Sequence, residues 1–185
     1  EAENFGITNT VSGTTALESS IKGHDSYMTD INPLLDYFYS IKMPEFSLND
    51  WLKIQEISKN FLKKIFSVKR DNVIKINGDL EYWYPKVLYE YFNNLWNNYH
   101  SLKGFQNDIA RKNVILVLFK LSKYYSYAEH SMPKLFISKK KRTFINNLLE
   151  KETIFSEIEA RAFNFLEEIN KSVLSLLSKE KLKGK

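Results

Sequence analysis

A seven-residue apolar repeat near the C-terminus constrains the fold of this chain more than any other feature. Apolar residues recur at every seventh position, at Leu148, Phe155, Ala162, Ile169 and Leu176. Further apolar residues lie three or four positions from this line, at Phe144, Ile145, Ile158, Phe165, Leu166 and Val173. This spacing is typical of a helix that packs one face against other helices. We predict a helix over about residues 137–182, either uninterrupted or broken near Thr153.

Two helix starts are visible in the first third of the chain. Asn32 and Pro33 are residue types that begin helices, and helical apolar spacing continues from there to Pro44. Ser47 and Asp50 have the spacing of a capping box, in which each side chain accepts a hydrogen bond from a backbone N–H at the helix start. We therefore predict a short helix after Pro33. A long helix over about 48–68 follows, with an apolar face of Trp51, Ile54, Ser58, Phe61, Ile65 and Val68.

Two more helices are predicted in the middle of the chain. Proline lacks a backbone N–H and is tolerated in the first helical turn, so one helix begins near Pro85, and Gly104 ends it. The next begins near Asn107 or Asp108 and contains six consecutive apolar residues over 114–119. A helix that is apolar nearly all round belongs in the middle of a core. We expect this helix to be the central one.

The composition favours an all-α protein without disulfide bonds. The 185 residues include only 6 Gly and 4 Pro, too few for a sheet protein rich in tight turns, and 43% are hydrophobic, enough for a packed core. The lack of Cys excludes disulfides, thiolate zinc sites and thiol catalysis. No run of 18 apolar residues is present, so no membrane-spanning helix is predicted.

These patterns together predict one domain of defined architecture. We expect an all-α fold, an elongated four-helix bundle with an extra short N-terminal helix and a long C-terminal helix, over residues 29–185. Residues 1–28 are polar, small and aperiodic, so they have little apolar surface to offset the entropy of ordering. We predict that they form a flexible tail.

The sequence favours a protein without enzymatic activity. His24, His100 and His130 lie in three separate segments, and no pair has the four-residue spacing that places two metal ligands on one helical face. The Glu-x-x-His motif of di-iron bundles, glycine-rich phosphate loops and nucleophile elbows are absent from the sequence. We expect no catalytic residue, no cofactor, no metal and no small-molecule substrate.

Polar residues interrupt the predicted apolar faces. Lys151, Glu152 and Glu159 stand beside Phe155, and Ser58 lies on the face of the 48–68 helix; Asn113 and Ser172 are in comparable positions. One interpretation is that the stems follow the edge of the core while the polar heads reach water. The other is that these groups are buried and weaken the bundle, which then opens on meeting a membrane or a partner.

A basic cluster, Lys139, Lys140, Lys141 and Arg142, opens the C-terminal helix. Four positive charges at a helix N-terminus oppose the helix dipole, so helix stability does not account for them. The cluster fits contact with anionic lipid, sulfated glycan or nucleic acid, a nuclear address, or a solvated charged turn. Glutamates separate it from the lysines of residues 179–185, which argues against a continuous duplex-binding face.

Three consecutive aromatic residues, Tyr82, Trp83 and Tyr84, lie in a connecting segment. Adjacent residues cannot all face one core, so some of these rings reach the surface. Tyr and Trp suit membrane interfaces and protein contacts, and they are also common as half-buried residues with the polar group in water. The triplet is a candidate for interfacial contact.

The chain as a whole resembles the malaria-parasite family of sporozoite microneme proteins essential for cell traversal (SPECT). The resemblance rests on the capped helix after Ser47, the apolar line from Leu148 to Leu176 with Glu152 and Glu159 interrupting it, and the lack of Cys, over most of residues 30–182. It implies a secreted microneme protein, later extracellular or at the host-cell surface, that assists host-cell traversal or invasion without catalysis. The partner it implies is a host membrane or host surface protein, and self-association is a further expectation.

Two other functions stay open at this level. One is a surface adhesin that binds a soluble host protein through a helical face; the cysteine-free helical surface lipoproteins of Borrelia share several of these traits. The other is a nucleic-acid-associated helical protein that uses the basic cluster of residues 139–142.

Overall fold

The computed structural model describes residues 6–8, 22, 26–28, 34–42, 46–68, 82–103, 107–129 and 136–183. Six α-helices lie within these residues: α1 (Leu34–Lys42), α2 (Leu48–Ser67), α3 (Lys86–Ser101), α4 (Asp108–Tyr124), α5 (Lys139–Leu149) and α6 (Ile154–Lys183). The fold is all-α, as the sequence predicts, and its helices pack as a bundle. Within the described residues the two strands are three residues long, β1 (Gly6–Thr8) and β2 (Ser26–Met28), and they pair in parallel with Gly6 opposite Ser26.

Several predicted boundaries lie outside the described residues. These include the helix start at Asn32 and Pro33 and the helix stops at Pro44 and Gly104. Most of the predicted tail also lies outside them, so its flexibility stays a prediction, as do the limits of a single domain over 29–185 and the elongated four-helix arrangement.

The start of α2 confirms the predicted capping box. The Ser47 hydroxyl oxygen accepts the Asp50 N–H at 3.2 Å, and the Asp50 carboxylate accepts the Ser47 N–H at 3.3 Å. The hydrogen bonds from the Ser47 side chain and backbone hold the pKa of Asp50 below its ordinary value. From this fixed start the helix buries the predicted face, including Trp51, Phe61 and Ile65.

Helix α4 is central, as its apolar run predicts. It begins at Asn107, whose side chain accepts the Ala110 N–H at 2.9 Å, and it packs against α1, α2, α3 and α6. The side chains of 114–118 are buried, whereas Phe119 at the end of the run is exposed. A helix surrounded on nearly every side needs apolar residues on nearly every side, which is why its periodicity is weak.

The core has two parts. The larger joins α2, α3, α4, α5 and α6 around residues such as Phe61, Leu118 and Ile158. The smaller lies where α1 meets the first turns of α2 and the C-terminal half of α6. Its buried residues are Ile41, Trp51, Ile54, Ala110, Leu116, Val173 and Leu177.

The long C-terminal helix is broken where the sequence allowed a break, between α5 and α6 at residues 150–153. The four residues there, Glu150 to Thr153, are all polar and exposed, so no apolar face holds them against the core. The Thr153 carbonyl accepts the Glu157 N–H at 2.9 Å and the Thr153 hydroxyl donates to the Glu157 carboxylate at 2.9 Å, which starts the new helix.

The break corrects the predicted apolar line. Phe144 and Phe155 are 43% and 39% exposed, while the neighbours Ile145, Ile154 and Ile158 are buried. The seven-residue spacing from Leu148 to Phe155 crosses the turn, so the two sides of the line belong to helices with different orientations. The buried face of this segment consists of Ile145, Ile154, Ile158, Ala162, Phe165, Leu166, Val173 and Leu177.

The polar interruptions divide into two groups. Lys151, Glu152 and Glu159 are exposed, as is Ser172, which agrees with the interpretation that their polar heads reach water. The alternative, that these residues interrupt the core as buried groups, is wrong for all four. Ser58 and Asn113 are fully buried.

The buried pair links α2 to α4. The Ser58 hydroxyl donates to the Ile54 carbonyl at 2.8 Å, and Asn113 Nδ2 donates to Ser58 Oγ at 3.2 Å. Asn113 Oδ1 is buried and has no hydrogen-bond partner among the described residues. The pair therefore depends on mutual contact, with one acceptor left unsatisfied.

Removing one partner of this pair should cost more than removing both. We expect Ser58→Ala to lower the free energy of unfolding by about 1–3 kcal/mol, because it leaves the buried Asn113 amide without its acceptor. Combining it with Asn113→Leu should restore most of the loss in urea titrations. Ser172→Ala, at an exposed serine, is the matched control and should change little; equal losses in the single and double variants would contradict the account.

A half-buried lysine attaches α1 to α4. Lys112 Nζ lies 3.3 Å from the Asp36 carboxylate on α1 and 3.2 Å from the Asp108 carboxylate, and it donates to Ser40 Oγ at 3.0 Å. Burial by itself lowers the pKa of Lys112, but the hydrogen bonds and charges of Asp108 and Asp36 outweigh it, and the net pKa is raised. The contact stabilises the charged lysine.

This raised pKa predicts the pH dependence of the contact. A lysine whose pKa is higher folded than unfolded stabilises the fold below its ordinary pKa of 10.5 and loses that effect as pH rises through the folded pKa. We expect Lys112→Met to be less stable than the unsubstituted protein at neutral pH, and the gap to close above about pH 10.5. Lys86→Met, which removes an exposed pair with Glu90, should show no such gap.

Candidate functional site

The backbone of Tyr127 brings two predicted sites together. Its N–H donates to the Trp83 carbonyl at 2.8 Å, and its carbonyl accepts the Ser138 N–H at 3.0 Å. The pairing continues as an antiparallel bridge between Ala128 and Ile137. The aromatic triplet before α3 and the basic cluster at the start of α5 therefore meet at the exit of α4. We call residues 82–84, 124–129 and 136–144 the basic–aromatic end.

The basic cluster starts α5 without acidic support. Ser138 is the N-cap, and its hydroxyl oxygen accepts the Lys141 N–H at 3.3 Å; the first turn holds no acidic residue. Lys139, Lys140 and Arg142 are exposed, and Lys141 is half-buried. The helix start is stable because of the serine cap, so the cluster is not required for it.

Two of the four cations lie over aromatic rings. Lys141 Nζ is 4.5 Å from the ring centroid of Tyr124 and 5.2 Å from that of Phe144, and Arg142 Cζ is 5.3 Å from that of Tyr127. A cation on a ring face is held by the negative charge of the π-system. Lys139 and Lys140 are exposed to solvent. Two cations of the cluster therefore lie on rings, and the other two are exposed lysines.

The environment of Lys141 lowers its pKa. Burial lowers the pKa of Lys141 most, the nearby Glu129 raises it, and the charge of Arg161 on α6 lowers it. The net effect is a lowered pKa, because burial and the charge of Arg161 disfavour the charged form more than Glu129 favours it.

The aromatic triplet separates into three roles. Tyr82 is 64% exposed and meets Trp83 edge to face at 5.4 Å. Tyr84 is half-buried, and its hydroxyl donates to the Ser122 carbonyl near the end of α4 at 3.1 Å. Tyr82 is thus available for contact and Trp83 partly so, whereas Tyr84 holds the segment on the bundle.

Exposed apolar side chains gather around this end. Phe136 and Phe144 belong to it, and both are exposed. Nearby, Phe155 at the start of α6 packs on Tyr91 at 4.6 Å, and Val87 lies one turn before Tyr91 on α3. Charged and apolar groups therefore occur together on one surface, a combination typical of membrane interfaces and protein contacts.

Sequence reasoning missed Arg161 as part of this surface. Its guanidinium carbon lies 4.2 Å from the ring centroid of Tyr124, on the side chain that Lys141 also contacts. The contact depends on the turn at 150–153, which folds α6 back toward the start of α5. The run of tyrosines at 124, 125 and 127 was the available signal, since rings at a helix end are common platforms for cations.

The described residues contain no cluster of side chains that could hold a metal ion. Among them, no three His, Asp or Glu side chains come together as a metal site. His100 is exposed beside Trp96 and Tyr99, and His24 and His130 lie outside the described residues. Within the same part of the chain, none of the helices is both long enough and apolar enough to cross a membrane.

No protein-family model matches this chain, and no curated protein and no solved structure matches it either.

The attachment of the triplet can be measured by tyrosine titration. Burial raises the pKa of Tyr84 to about 12. Burial also raises the pKa of Tyr91, Tyr99 and Tyr125, so several phenols ionise late. We expect Tyr84→Phe to reduce the late phenolate absorbance change by the share of one tyrosine and to lower the melting temperature by deleting the bond to Ser122. Tyr82→Phe, at the exposed neighbour, should keep both the late change and the melting temperature; loss of the late change in that variant would contradict the placement.

Proposed function

We propose that this protein is a secreted, non-enzymatic helical-bundle protein that assists host-cell traversal or invasion by contacting the host membrane through its basic–aromatic end. The single observation that carries the membrane contact is the pair of backbone hydrogen bonds made by Tyr127, which join the basic cluster to the aromatic triplet. Each feature alone has an ordinary structural explanation, and their union supports a functional one.

The chemistry of this end suits an anionic membrane surface. Lys139 and Lys140 project long charged side chains that reach lipid phosphates, and each such lysine contributes about 1 kcal/mol near an anionic leaflet. Tyr82, Phe136 and Phe144 present exposed rings in the same basic–aromatic end, and such rings suit the boundary between headgroups and acyl chains.

The exposed rings favour lipid over the other anionic partners. Nucleic acid and sulfated glycan would use the positive charges of the cluster, but neither accounts for the exposed Phe136 and Phe144 in the same basic–aromatic end. A membrane interface uses both the charges and the rings. The proposed role in traversal rests on this membrane contact together with the resemblance to the SPECT family.

Vesicle flotation tests the membrane contact. The double variant Lys139→Glu/Lys140→Glu should weaken binding to vesicles that contain phosphatidylserine by at least about tenfold, since two attractive charges become repulsive. Both positions are exposed at a capped helix start, so the fold should be unchanged. The matched control is Lys59→Glu/Lys63→Glu on α2, which makes the same charge change at two other exposed lysines.

The two variants separate a local surface from overall charge. If vesicle binding falls equally in both variants, it depends on net charge alone and not on a local surface, which contradicts the proposal. If the unsubstituted protein does not bind vesicles, the proposal also fails. Binding to a soluble host protein without vesicle binding would favour the adhesin, and a mobility shift of oligonucleotides without vesicle binding would favour the nucleic-acid protein.

A further inference from the structure

The ring of Tyr124 carries two cations from two different helices. Lys141 Nζ from α5 is 4.5 Å from the ring centroid, and Arg161 Cζ from α6 is 4.2 Å from it. Both cationic side chains are partly exposed, so the pair is accessible from solvent. Two like charges on one ring repel each other, and the charge of Arg161 lowers the pKa of Lys141.

The positive charge of Arg161 is not paired with the carboxylate that lies at the usual spacing on the same helix. The residue four positions earlier on α6 is Glu157, the usual spacing for an ion pair on a helix. Its carboxylate instead accepts a hydrogen bond from the Thr153 hydroxyl at 2.9 Å and one from Lys151 Nζ at 3.5 Å. Glu157 is therefore held by the turn at 150–153 rather than by Arg161.

The guanidinium is also incompletely hydrogen-bonded. The charge of Arg161 acts to lower the pKa of Tyr125, which places the two side chains close together, and the Arg161 Nε is buried and has no acceptor among the described residues. A buried donor on a charged group without a partner is costly, and proteins normally satisfy such groups. Glu129 offsets part of the charge of Lys141. The surroundings of Arg161 still leave capacity for an anion.

We propose that Lys141 and Arg161 form a binding site for a phosphate group. The planar guanidinium can donate two parallel hydrogen bonds to phosphate oxygens, and the ammonium adds a point charge. A phosphate monoester carries a charge of about −1.5 to −2, which matches two cations better than a single carboxylate does. Exposed Lys140 and Arg142 increase the local positive potential.

The shared chemistry is a phosphate monoester or free phosphate, from a lipid headgroup or from solution. The lipid source rests on the proposed function, whereas the site itself does not. Binding should bring the two cations into one complex and relieve their repulsion, so the pKa of Lys141 should rise when phosphate binds.

An NMR titration with inorganic phosphate tests the site, at constant ionic strength set with chloride. The side-chain signal of Lys141 should shift saturably. Lys141→Gln should weaken binding by at least about tenfold. Arg161→Lys should do the same although it keeps the charge, because the two-pronged donor is lost. The matched control is Lys140→Gln, an adjacent exposed lysine, which should stay within about twofold; circular dichroism and melting curves check the fold of each variant.

Vesicles distinguish the two sources of phosphate. At equal surface charge, vesicles with phosphatidic acid should be preferred to vesicles with phosphatidylserine, and Arg161→Lys should abolish the preference. If phosphate causes no saturable shift, or if neither substitution at 141 or 161 weakens it, the site is refuted while vesicle binding through Lys139 and Lys140 can still stand. If phosphate binds as described but no vesicle does, the site stands and the proposed function fails.

Discussion

The backbone N–H and carbonyl of Tyr127 are both hydrogen-bonded to other segments of the chain, and the arrangement of the basic–aromatic end depends on these two bonds. A chain that leaves a helix carries unsatisfied N–H and carbonyl groups, and burying them without partners would be costly. Tyr127 is nearly buried, and it meets this requirement by donating to Trp83 and accepting from Ser138. Ser138 in turn caps α5. A requirement of ordinary hydrogen bonding thus decides where the basic cluster lies.

The core explains why this end can carry so many cations and rings. Helix α4 is enclosed by α1, α2, α3 and α6, so the stability of the bundle comes from its interior. Among the buried polar residues, Ser58 and Asn113 bond to each other, and Ser58 also bonds to the α2 backbone. In α5, Ile145 is buried and Leu148 and Leu149 pack against the core, so the exposed residues of this helix are not needed for packing and their chemistry can serve contact with a partner.

The class of fold and two of its helices could be predicted because their signals are local. A capping box at Ser47 and an apolar face of 3.6-residue period need no knowledge of the rest of the chain, and the same holds for the apolar run of α4. The seven-residue line did not identify the buried residues correctly, because its spacing runs unchanged through the turn at 150–153. Once the helix breaks there, Phe144 and Phe155 turn outward and the adjacent isoleucines face the core.

The site was predictable in its parts and not in its assembly. Lys139 to Arg142 and Tyr82 to Tyr84 stand out by residue type, but their union depends on backbone bonds between distant segments. The part played by Arg161 could not be predicted for the same reason, because its contact with Tyr124 depends on how α6 packs after the turn. For Glu152 and Glu159 the sequence left burial and exposure open, and their exposure was decided by the turn at 150–153 and the packing of α6.

Amide hydrogen exchange at Tyr127 and Ser138 tests the central claim most directly. Both N–H groups lie outside helices, so their hydrogen bonds to the Trp83 and Tyr127 carbonyls, and not helical hydrogen bonds, slow their exchange. The account predicts protection at both amides comparable to that of the last turn of α4. Exchange at the rate of an unstructured peptide at either amide would show that the aromatic triplet and the basic cluster are not joined.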